Sequence, residues 1–88
     1  MYRIQYAGRV QSVEIPKLDT SVRLSILQAI ELKLMTAPEA FGKPLRHTLR
    51  LLRVLRVGDW RVIYQLSGED VYVVTIRHRK EGYGNIVA

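Results

Sequence analysis

Cysteine is absent from this sequence, which excludes a disulfide framework and any thiolate metal site. Histidine occurs only at His47 and His78, too few for a dedicated zinc site. No glycine-rich phosphate loop, paired-carboxylate arrangement or Ser–His–Asp set can be traced, so no metal and no cofactor is expected. No run approaches the ~18 apolar residues that span a bilayer. The opening Met1-Tyr2-Arg3-Ile4-Gln5 lacks the apolar stretch of a signal peptide, and the expectation is a soluble cytoplasmic protein without a membrane partner. Acidic residues are scarce: 8 Asp and Glu stand against 14 Lys and Arg.

What is present is one modest core and an uneven excess of positive charge. A chain of 88 residues is expected to form a single domain over residues 1–88. Its 48% apolar content is ordinary for a globular chain and too high for a disordered one. Residues 1–42 carry 5 basic and 4 acidic side chains, a net of +1; residues 43–88 carry 9 and 4, a net of +5. Ten of the cations are arginines, whose planar fork fits phosphate oxygens. A solubilising surface would spread its charge, whereas concentration in one half of the chain favours a polyanion partner.

Residues 2–7 alternate, with Tyr2, Ile4 and Tyr6 on one face, as in a strand. Residues 9–15 fit a short helix interrupted at Pro16, which has no N–H to donate. Asp19, Thr20 or Ser21 caps the next helix, in which Val22, Ile26, Ile30 and Leu34 form one apolar stripe ending at Thr36-Ala37-Pro38. Residues 37–48 read as a connection held down by Phe41 and Leu45. Then come an apolar run broken by arginines over residues 49–57, a Gly58-Asp59 hairpin turn, a strand from Trp60 to Leu66, a turn at Ser67-Gly68-Glu69-Asp70, and a strand over Val71–Ile76. The expected fold is α+β: an N-terminal strand and helices packed on a mostly antiparallel sheet with a three-stranded C-terminal meander.

Alternation sends Trp60, Val62, Tyr64 and Leu66 to one face of their strand and Arg61, Ile63 and Gln65 to the other. Arg50, Arg53 and Arg56 lie on the strand before, and Arg77, Arg79 and Lys80 leave the end of the strand after. Strands sit about 4.8 Å apart, so several of these cations can meet over one groove, which favours an anion there. His78 beside Arg79, with Tyr83 close behind, adds a titratable group and a hydroxyl. Such a set suits metal-free RNA cleavage. There the substrate's own 2′-hydroxyl is the nucleophile, and the protein supplies positive charge and proton transfer.

Three stretches carry a family resemblance: Phe41-Gly42-Lys43-Pro44-Leu45-Arg46, then Leu55-Arg56-Val57-Gly58-Asp59-Trp60-Arg61-Val62-Ile63-Tyr64, then Ile76-Arg77-His78-Arg79-Lys80-Glu81-Gly82-Tyr83. Together with Glu14-Ile15-Pro16-Lys17-Leu18 they resemble the RelE branch of the RelE/ParE toxin superfamily, the toxins of bacterial type II toxin–antitoxin pairs. The resemblance implies a RelE-like fold and a metal-independent endoribonuclease that cuts messenger RNA in the ribosomal A site. It implies Arg61 as a phosphate-contacting residue, Arg79 as a stabiliser of charge during cleavage, Tyr83 as a substrate-orienting residue and His78 as a proton-transfer candidate. Lys43, Arg46, Arg50, Arg53, Arg56, Arg77 and Lys80 make up the expected RNA-contacting set. Leu52 and Val54 stand where some relatives carry two lysines. The implied partners are the ribosome, messenger RNA and a small acidic or amphipathic antitoxin. The alternatives are a ParE-like toxin that poisons DNA gyrase and a weakly active relative that serves as an antitoxin partner or co-repressor.

Overall fold

The computed structural model describes residues 1–45, 51–84 and 86. Strand β1 (Arg3–Tyr6) turns Ile4 and Tyr6 inward and leaves Arg3 and Gln5 exposed. Helix α1 begins as wide turns at Val10–Glu14 and continues through Ile15–Lys17. Pro16 therefore does not interrupt it. The wide turn closes on the Ile15 N–H to the Val10 carbonyl, and the chain becomes extended only at Leu18. Arg23 then donates to the carbonyls of Pro16 (3.1 Å) and Leu18 (3.0 Å), stapling the α1–α2 connection.

Helix α2 (Thr20–Ala29), continuing through Ile30–Leu34, buries the predicted stripe: Ile26, Ile30 and Leu34 lie in the core with Val22 beside them. Fully burying one such side chain is worth about 1.5–3 kcal/mol. Asp19 holds the capping position, but its side chain makes no capping bond. A short α3 (Pro38–Phe41) leads into β2 (Lys43–Pro44). The anchors here differ from expectation: Pro38 and Gly42 are buried, whereas Phe41 is half-exposed with the Lys33 ammonium 5.6 Å from its ring centre. Proline suits the first turn of a helix, where its missing N–H costs nothing.

The meander follows as β3 (Leu52–Val57), β4 (Trp60–Ser67) and β5 (Asp70–His78). The two-residue links are Gly58-Asp59 and Gly68-Glu69, and each glycine has a φ of 59°. The sheet runs β1-β5-β4-β3-β2, with β1 parallel to β5 and the other pairs antiparallel. This is the expected α+β arrangement. The Arg3 Nε donates to Asp70 at 2.8 Å, joining the parallel pair at the surface and holding the Asp70 carboxyl below its ordinary pKa. No helix among the described residues is long and apolar enough to cross a membrane.

The two faces of the sheet are covered unequally. Leu55, Val62, Tyr64, Val71, Val73 and Ile76 pack under the helices. On the far face Leu52, Val54 and Ile63 form a smaller buried cluster, against which Leu45, Val74, Tyr83 and Ile86 pack. Val74 is the extra residue of a bulge, since Ile63 pairs with Thr75 and Tyr64 with Val73. β1 ends at Tyr6, opposite Val73. Beyond it Glu14 of α1 serves the open β5 edge, accepting from the Ile76 N–H (2.8 Å) and the Thr75 hydroxyl.

Tyr64 locks α3 to the sheet. Its buried hydroxyl donates to the Pro38 carbonyl at 2.6 Å, and a Cβ on Gly42 would overlap its ring and hydroxyl. Gly42→Ala is expected to cost about 3 kcal/mol, lowering Tm by more than about 10 °C in a chain of this size. Gly8→Ala, where a Cβ meets nothing, should leave Tm unchanged or raised; equal losses from both would remove this explanation.

Burial also raises the Tyr64 pKa, and that of Tyr6, above the ordinary phenol value. Above about pH 10 the unfolded chain gives up protons that the folded one keeps, so stability should fall as pH rises. Tyr64→Phe should lower stability at neutral pH by about 1 kcal/mol through the lost hydrogen bond. It should also flatten the alkaline decline, read from denaturant melts between about pH 9 and 11.

Candidate nucleic-acid interface

Alternation along β4 turns Trp60, Val62 and Tyr64 to the helices and Arg61 and Ile63 to the far face. Register then decides the electrostatics. Arg61 pairs with Arg56 of β3 on one side and Arg77 of β5 on the other. Like charges placed directly opposite destabilise a sheet by roughly 0.2–1 kcal/mol per pair, and the three arginines meet that cost differently. Arg61 donates one nitrogen to the carbonyls of Gly58 and Trp60, both at 2.9 Å. Arg77 donates to the carbonyls of Gly82 (3.2 Å) and Gly84 (2.5 Å), drawing the chain after β5 across the sheet. Arg56 is exposed and makes no hydrogen bond or ion pair among the described residues.

The end of β5 builds the facing wall. His78 pairs with Trp60, and their rings meet edge-on, 5.2 Å between centres at 85°. A tight turn, Arg79–Glu81, follows under reciprocal capping: His78 Nδ1 accepts from the Lys80 N–H (3.2 Å), and Glu81 accepts from the His78 N–H (2.9 Å). Because Nδ1 is an acceptor, the neutral ring carries its proton on Nε2. The Arg79 N–H donates to the Asp59 carbonyl at 2.8 Å, fastening this turn to the β3–β4 hairpin. The Arg79–Asp59 side-chain contact, 3.5 Å with both partners more than half exposed, adds little. Gly82 adopts a φ of 65°, open to glycine at no steric cost, and Tyr83 folds back against the Leu52–Val54–Ile63 cluster.

The result is a cleft of about 170 Å³ lined by Arg56, Arg61, His78, Arg79, Gly82 and Tyr83. Arg61, His78, Arg79 and Tyr83 are thus brought together, with Arg56 beside them. Other expected contacts are not. Arg53 points to the helix side, donating to the carbonyls of Glu39 (2.8 Å) and Gly42 (2.6 Å). Its odd spacing from Arg56 puts it on the opposite face, where it secures α3. Arg77 holds the tail and is not a wall of this cleft. Lys80 is exposed on the turn, and Lys43 is exposed on β2 opposite Val54, outside the cleft walls. Arg46 and Arg50 lie outside the described residues. Leu52 and Val54 are buried, so apolar packing occupies those positions. Gly82, Glu81 and Asp59 also shape the site; the sequence signals the first two by a Glu three residues after His78, the capping-box spacing, followed by a glycine.

Comparison with known proteins shows the class to which this small α+β fold belongs. The RelBE2 toxin–antitoxin complex of Mycobacterium tuberculosis aligns with a TM-score of 0.76 at 21% identity, covering 89% of this chain and 98% of that one. A doubly arginine-substituted RelE toxin from E. coli in the free state gives 0.71 at 22%, covering 92% and 86%. YafQ from E. coli gives 0.60 at 18%, covering 96% and 100%. No curated protein matches in sequence. The family model for the ParE toxin of the type II toxin–antitoxin system parDE matches residues 14–83, and the chain belongs to that family of type II toxins, within the RelE/ParE superfamily.

Repulsion within the arginine row opposes folding. Arg56→Gln is expected to raise stability by about 0.5 kcal/mol at low salt, with the gain fading as added salt screens the charges. Denaturant melts at low and high ionic strength check this; a loss of stability at both would contradict it.

Proposed function

We propose that this toxin is a metal-independent endoribonuclease that cuts messenger RNA in the ribosomal A site. The observation that carries the reading is the convergence of Arg56, Arg61, His78, Arg79 and Tyr83 on one cleft. An RNA phosphate seated between Arg61 and Arg79 would relieve the repulsion in the arginine row, and the same guanidinium groups would stabilise the charge that grows on the phosphorane. The 2′-hydroxyl attacks that phosphate, the bond to the 5′-oxygen breaks, and a cyclic phosphate and a 5′-hydroxyl result. The leaving 5′-oxygen takes up a proton from solvent while the His78 Nε2–H hydrogen-bonds to it, and Tyr83 orients the ribose. The arginines stay protonated near neutral pH and are poor bases. The 2′-hydroxyl proton therefore passes to solvent, and rate enhancement rests on charge and positioning.

A cognate antitoxin is the natural partner of such a surface. The M. tuberculosis relative was solved as a toxin–antitoxin complex, and the net charge of +6 suits an acidic segment that folds as it binds. Action on ribosomes places the toxin in the cytoplasm. A second reading, poisoning of DNA gyrase, is favoured by the family match, which names ParE. His78 argues for cleavage, since a toxin that only binds gains nothing from an imidazole N–H held beside its arginines for a leaving oxygen.

In vitro translation with primer extension on the message separates the two. Cleavage within the A-site codon is expected. Arg61→Ala and Arg79→Ala should each reduce it by about 100-fold or more with the fold retained, as read by circular dichroism. Intact messages together with cleaved plasmid in a gyrase assay would give the ParE-like reading precedence.

A further inference from the structure

A second cleft, of about 300 Å³, lies beside the candidate site at the end of β5. We propose that it holds the nucleotide next to the one cleaved, its base against Trp60 and its phosphate met by Arg9 and Lys17. The proposal rests on the nuclease reading and deepens it by naming a subsite for the substrate.

The two clefts share a rim. Trp60 lines the second and is paired across the strands with His78, which lines the first. Glu81 lines the second, and Gly82, the next residue, lines the first. An RNA strand with its scissile phosphate at Arg61 therefore runs directly from one to the other around the β5 end.

The lining suits a nucleotide. Leu18, Ile76 and Trp60 supply an apolar floor, and a base resting on an aromatic ring gains roughly 1–3 kcal/mol. The two carboxylates in the wall are already engaged. Glu14 accepts from the Ile76 N–H and the Thr75 hydroxyl, and Glu81 accepts from the His78 N–H. Of the three cations, Arg77 is held by the tail carbonyls and Arg9 and Lys17 are available. Arg9 stands 3.8 Å from Glu14 with its side chain 74% exposed, and Lys17 makes no ion pair among the described residues. An acidic peptide could answer the same cations, but it would leave the aromatic floor unused.

Trp60 is the chain's one tryptophan, so its emission reports on this cleft and on the His78 ring it meets edge-on, and the Arg9 and Lys17 variants assign a change to the subsite. The probes are a trinucleotide RNA with a 2′-deoxyribose at the cleavage position, which cannot be cut, and a mononucleotide. Binding of the trinucleotide should quench Trp60 and be at least about fivefold tighter than the mononucleotide. Arg9→Gln with Lys17→Gln should erase that advantage while leaving mononucleotide affinity and Tm unchanged; both side chains are exposed. Lys17→Glu, tested alone, should weaken the trinucleotide selectively.

The subsite is overturned if the double variant keeps the full trinucleotide advantage, if no oligonucleotide quenches Trp60, or if a polyglutamate peptide displaces the trinucleotide in the wild type and loses affinity in the double variant. Primer extension on the same proteins reads the nuclease activity separately. Cleavage without the trinucleotide advantage would reject the subsite alone, and no cleavage by the wild type would reject the nuclease reading.

Discussion

Repulsion among arginines held in register is the constraint around which one end of this molecule is organised. Backbone pairing between β3, β4 and β5 fixes Arg56, Arg61 and Arg77 side by side, and a sheet cannot slip by one residue without turning every core side chain to the wrong face. The charges therefore cannot move apart by shifting the strands. They are instead distributed among backbone carbonyls: two from the β3–β4 hairpin for Arg61 and two from the tail for Arg77. Arg56 remains exposed, and the cleft beside it offers an anion more positive charge than the backbone neutralises.

The same accommodation shapes the rest of the site. By holding Gly82 and Gly84, Arg77 keeps Tyr83 against the far-face cluster and at the cleft wall. The capped turn at Arg79–Glu81 fixes His78 in one tautomer and fastens Arg79 to the hairpin. Each of these elements engages a backbone group, so backbone hydrogen bonding also positions the side chains. Buried Leu52 and Val54 provide the floor on which Tyr83 and Ile86 of the tail rest.

Much of the fold was legible because it follows from short-range periodicity. The Val22–Leu34 stripe, the alternation in Trp60–Leu66 and the glycines at the two hairpin turns act within a few residues of one another, and each produced its element nearly where expected. The departures have both local and distant causes. Pro16 suggests a helix break, but wide turns carry the helix past it. Phe41 suggests an anchor, but Tyr64, distant in sequence, and Gly42 fill that role. Arg53 and Arg56 share a strand, but parity places them on opposite faces.

The sequence by itself determined the chemistry available: guanidinium groups, one histidine beside them and a tyrosine, on strands whose order and facing follow from apolar alternation. Only the tertiary structure decided which of those groups share a cleft. That choice depends on cross-strand register, on the bulge at Val74 and on which carbonyls each arginine reaches. Such matters are settled by packing and hydrogen-bond satisfaction between segments far apart in the chain, which local pattern does not encode.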